Sequence, residues 1–130
     1  MDEARARFLR DRVMTATPAQ RVVMLYDRLV LDLTRAGDAA KQIERSGHLG
    51  HATQIVAELH ASLDQSVGGP AENLATLYTF MITELVAMRA TGVTGARLAR
   101  VESIATRLRS SWVQVAEQTA GTLPAGSWVS

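Results

Sequence analysis

The residues of this chain that could do chemistry are its three histidines, a scatter of serines and the carboxylates near them. Glu44, His48 and His51 are the nearest thing to a metal-ligand set. A carboxylate-bridged di-iron site in a helical bundle needs Glu-x-x-His pairs facing inward from two helices, and no Glu-x-x-His occurs here. Ser46-Gly47 is moreover expected to break the chain between Glu44 and the two histidines, which read as solvated loop residues without a third ligand. An exposed helical histidine can carry a phosphoryl group if cations surround it; His60 is flanked instead by Glu58 and Asp64 and reads as a surface residue. Ser62, Ser66, Ser103, Ser110 and Ser111 have no His and carboxylate at suggestive spacing. Gly68-Gly69 lacks the Lys-Ser/Thr that would make it a phosphate loop. No catalytic residue, metal or cofactor is expected.

The elements that would position these side chains are helices. Residues 1–16 read as an Arg-rich N-terminal arm with room for one short helix, anchored by Phe8, Leu9, Val13 and Met14. Thr17-Pro18 with Gln20 makes a capping box with Pro at the first helical position. From there Val22, Leu25, Tyr26, Leu29, Val30, Leu33, Ala36, Ala40 and Ile43 recur at helical spacing, predicting a helix over 18–45 that ends at Ser46-Gly47. Leu49, Ala52, Ile55, Val56, Leu59 and Leu63 predict a second over 49–66, closed by Gly68-Gly69. Pro70 opens a third to about Arg89, carrying Leu74, Leu77, Tyr78, Met81, Leu85 and Met88. Thr94 is the expected N-cap of a fourth, with Leu98, Val101, Ala105, Leu108, Trp112 and Val115, ending near Glu117. Short connections force such helices to pack antiparallel. The expected fold is all-α, an antiparallel up-down four-helix bundle over 17–118 with the arm before it and a flexible tail over 119–130 that contains Trp128.

The bulk properties bound the function. At 130 residues the chain is one domain able to bury a core without staples. Fourteen basic against thirteen acidic residues, net charge +1, leave no footprint for nucleic acid. The absence of cysteine excludes disulfides and thiolate metal sites. The N-terminus lacks a secretory apolar stretch, and Asp27, Arg28 and Asp32 interrupt the most apolar segment, so no membrane insertion is expected and the reading is cytoplasmic.

What remains is surplus apolar surface. Val22-Val23-Met24-Leu25-Tyr26 is wider than one core-facing stripe. Val23 and Met24 either lie beneath the arm, pinned by Phe8, Val13 or Met14, or line a groove for a partner helix. Phe80 and Ile82 likewise widen the third stripe around Met81. Leu25, Leu29, Leu63, Leu74, Met81, Leu85, Leu108 and Trp112 are expected in the core.

Three stretches resemble a known family. Thr15-Ala16-Thr17-Pro18 followed by Met24-Leu25-Tyr26-Asp27 looks like the opening of the flagellin-specific export chaperones, the FliS family. Leu63-Asp64, Gly68-Gly69, Asn73-Leu74 and Leu77-Tyr78 with Met81 resemble its central signature, and Leu108-Arg109 with Trp112 its last helix. The arm departs from the pattern in carrying no Tyr, Phe8 standing nearest, and Pro70-Ala71 replaces the usual Glu-Ile-Ala. The resemblance implies a chaperone without ATP that binds the C-terminal segment of flagellin in the cytoplasm, prevents premature polymerisation and presents its client to the flagellar export apparatus. Candidate residues for the client groove or its arm cover are Phe8, Val13, Met14, Val23, Met24, Tyr26, Ile55, Leu59, Leu77, Tyr78, Phe80 and Met88. Two other classes stay open: a signalling bundle with His60 as phosphocarrier, and a structural bundle that buries its spare face on itself as a homodimer.

Overall fold

The computed structural model describes residues 2–63 and 69–123, with the backbone alone at 11–14, 69–70 and 119–123. It is helical throughout, in the order α1 (Asp2–Thr15), α2 (Pro18–Asp38), α3 (Gln42–Ala61), α4 (Gly69–Thr91) and α5 (Gly95–Leu123), with no strand among the described residues. Asp64, Ser66, Gly68 and Trp128 lie outside these residues, as do the side chains of Val13 and Met14.

The predicted capping box is present. The Gln20 backbone N–H donates to Thr17 Oγ1 at 3.1 Å, and the Thr17 N–H donates to Gln20 Oε1 at 2.9 Å. These bonds satisfy backbone donors that the start of α2 would otherwise leave without partners. Consecutive helices from α2 onward pack against each other, and α5 closes the ring on α2. The seam between α4 and α5 is the sparsest of the four. The core takes Tyr26, Leu29, Leu33 and Ala36 from α2, Ala52, Val56 and Leu59 from α3, Met81, Leu85 and Met88 from α4, and Val101 and Ala105 from α5. Leu25, Leu63, Leu74, Leu108 and Trp112 pack on this core only half-buried. The loss expected for Leu63→Ala accordingly falls at the low end of the ~2–5 kcal/mol typical of a buried leucine.

Helix α2, expected over 18–45, ends earlier than its periodicity predicts. Ala39 is extended at φ −66°, ψ 130°, and α3 begins at Gln42, so Ser46 and Gly47 sit inside a helix instead of ending one. The break is held from the far side of the turn, where the Arg45 guanidinium donates to the Ala36 and Ala39 carbonyls at 3.3 and 2.7 Å. Ile43, expected on the core stripe, lies in the first turn of α3 and is 80% exposed. At the α4–α5 turn Gly92 has φ +74°, a left-handed conformation that glycine adopts without strain, so this position favours glycine. The helical backbone of α5 runs past 118 to Leu123. No helix among the described residues is long and apolar enough to cross a membrane.

Candidate functional site

The histidines are placed differently from expectation. His51 is not in a loop: α3 runs unbroken through Glu44, His48 and His51. The His51 Nδ1–H donates to Oδ2 of Asp32, which is 1% exposed on α2, and Arg28 Nε stands 3.7 Å from the same oxygen. A buried carboxylate needs such partners, and this cluster ties α2 to α3. Among the described residues no group of three or more His, Asp or Glu could hold a metal. His60 is half-buried, its ring set edge-on to Tyr78 with centroids 6.4 Å apart, beside a cleft of about 220 Å³ lined by Ala57, Thr79, Ile82 and Thr83. No Arg or Lys lines that cleft, so nothing there would hold a phosphoryl group.

The apolar run at the start of α2 divides three ways. Tyr26 points inward, its hydroxyl 2.6 Å from that of Tyr78 on α4, so the two rings bridge the bundle diagonally. Burial pushes both phenols well above their ordinary pKa; for Tyr26 the Tyr78 hydroxyl adds to the rise and a hydrogen bond from Trp112 opposes it. Val22 and Leu25 pack half-buried on the core. Val23 and Met24 turn outward.

Around those two side chains lie the largest clefts described. One, of about 410 Å³, runs between α2 and the end of α5, lined by Gln20, Val23, Met24, Val113, Ala116 and Glu117. The other, of about 500 Å³, lies between α2 and the end of α3, lined by Pro18, Val22, Met24, Leu25, Glu58 and Ser62. The α5 wall is held to α2 by Arg109, whose Nε–H donates to Asp27 Oδ1 at 2.5 Å. The arrangement offers an apolar floor with a polar rim that includes the Asp27, Glu58 and Glu117 carboxylates, a surface chemistry that suits an amphipathic segment.

The twelve candidates separate on this geometry. Tyr26, Ile55, Leu59, Tyr78 and Met88 are buried in the core, because the inward side of each stripe is needed to close the bundle. Val23 and Met24 line the clefts. Leu77 is half-buried and Phe80 36% exposed on α4, away from both clefts. Phe8 is 65% exposed on α1 and lines neither cleft. Val113, Ala116, Glu117, Glu58 and Ser62 were missed. They enter only because α5 and α3 end beside the start of α2, a matter of tertiary register that no local pattern carries.

No curated protein matches the chain. A family model does, that of flagellar protein FliS, over residues 1–119. That span holds the capping box, the outward Val23 and Met24 and the Tyr26–Tyr78 bridge within a helical bundle, and it covers nearly the whole chain: the protein belongs to the FliS family of flagellar export chaperones.

Proposed function

We propose that this chaperone binds the C-terminal segment of flagellin along the two clefts at the start of α2, keeps it from polymerising in the cytoplasm and hands it to the export apparatus. The observation that carries the reading is the outward pair Val23 and Met24, apolar side chains at the meeting of two apolar-floored clefts, in a chain whose family acts in flagellar export. A disordered client gives up ordering entropy when it folds on a surface and recovers it by burying roughly 1,000–3,000 Å². A methionine suits that task, because its unbranched thioether adapts to a client unlike itself.

The test is titration calorimetry of this protein against the last ~40 residues of its organism's flagellin, with a scrambled peptide as control. Specific binding with a strongly negative heat-capacity change is expected. Met24→Asp should weaken it about tenfold or more with little change in thermal midpoint, since Met24 is not a core residue. Equal binding of the scrambled peptide, or no loss in the Met24 variant, would overturn the reading.

A further inference from the structure

The sparsest seam of the bundle carries unbalanced charge. Glu84 on α4 meets Arg97 and Arg100 on α5, each with its nitrogen 3.7 Å from the same Oε1. That oxygen is buried and has no hydrogen-bond partner. The pairing shows which sides of the two helices face each other. Residues three or four apart share a helix face, so Phe80 and Leu77 stand on the seam side of α4 below Glu84. Ile104 and Arg107 stand on the seam side of α5 beyond Arg100.

One carboxylate thus meets two arginines, and Arg107 stands two turns beyond Arg100 on the same side of α5. The Arg97 and Arg100 side chains are 44% and 56% exposed, and among the described residues Arg107 has no ion-pair partner. Beside them Phe80 is 36% exposed, on a helix whose opposite side is fully buried in the core. A basic rail beside an exposed aromatic, along a seam that α4 and α5 fill poorly, is complementary in charge and polarity to an acidic amphipathic helix. A carboxylate arriving there would also give Arg97 and Arg100 the hydrogen bonds that Glu84 does not.

We infer that the α4–α5 seam is a second docking surface, separate from the clefts at α2, for a protein partner that presents an acidic amphipathic helix: its apolar side chains on Leu77 and Phe80, its carboxylates on Arg100 and Arg107. Binding at this site leaves the α2 clefts free, so both partners sit on the chaperone at once.

The probe is a dye-labelled amphipathic model peptide of about 18 residues, long enough to be helical, with Leu on one face and Glu on the other, and a twin with Lys replacing Glu. Fluorescence anisotropy should show the Glu peptide binding to the full chain, more weakly as salt is raised, and the Lys twin failing. Arg107→Glu, at an exposed position that leaves the fold intact, should lower affinity about tenfold and gain binding to the Lys twin. Phe80→Asp should lower it similarly, whereas Met24→Asp, which damages the other surface, should not. No binding of the Glu peptide, equal binding of the two peptides, indifference to Arg107→Glu, or loss in the Met24 variant would overturn the proposal.

Discussion

Helix α5 has two long neighbours and treats them differently. Toward α2 it packs closely, and the Arg109–Asp27 hydrogen bond at 2.5 Å joins the two helices. Toward α4 it packs sparsely, and the charges that meet there are shared unevenly at 3.7 Å. The difference teaches that the bundle is a closed ring in topology and not in packing. Three seams are closely packed, while the fourth, between α4 and α5, is sparse.

The comparison can be broken by mutation. Leu29→Ala, at a position with no exposed surface on a sealed seam, should cost ~2–5 kcal/mol by chemical denaturation. Phe80→Ala on the sparse seam should cost well under half as much although it deletes a larger side chain; equal losses would mean that the fourth seam is as sealed as the rest. Next in size is His51→Ala, which strips Asp32 of its hydrogen-bond partner inside the α2–α3 seam and should cost about 1–3 kcal/mol. Arg28 offers only a longer contact at 3.7 Å and does not replace it.

The Tyr26–Tyr78 bridge gives a pH signature for the sealed interior. These are the only two tyrosines in the chain, so tyrosinate absorbance reports on them alone. Both phenols are raised in the folded state by burial, and the unfolded chain titrates near the ordinary value of about 10. Their contribution to stability is therefore complete below about pH 10 and declines as the pH rises past it, because the unfolded state gives up protons that the folded state keeps. An alkaline titration should show no tyrosinate until the chain unfolds; gradual ionisation with helicity intact would show the bridge to be solvent-accessible. The smallest effects belong to the surface ion pair: Asp27→Ala should cost roughly 0.2–1 kcal/mol, less at high salt.

Much of the bundle was legible in the sequence because its signals are local. Thr17, Pro18 and Gln20 sit within one turn, and Leu29, Leu33, Leu85 and Val101 fall on stripes that periodicity alone identifies. The end of α2 at Asp38 had no local signal. Ala39 and Ala40 are not breakers, Ala36, Ala40 and Ile43 continue the apolar spacing, and the cap arrives from Arg45 across the turn. Asp32 was readable only as an interruption of an apolar segment. Its burial and its pairing with His51 both depend on the register of α3 against α2. The candidate surface was legible in part for the same reason. Val23 and Met24 stand out within a single run, whereas Val113 and Glu58 join them only through the way three helices end together.

Met24 lies in both clefts at the start of α2. One unbranched thioether therefore borders both spaces, and a side chain of that kind adapts its shape to what lies against it. On the proposed reading, two stretches of one client would touch the same side chain, and selectivity would depend on how those stretches are spaced along the client.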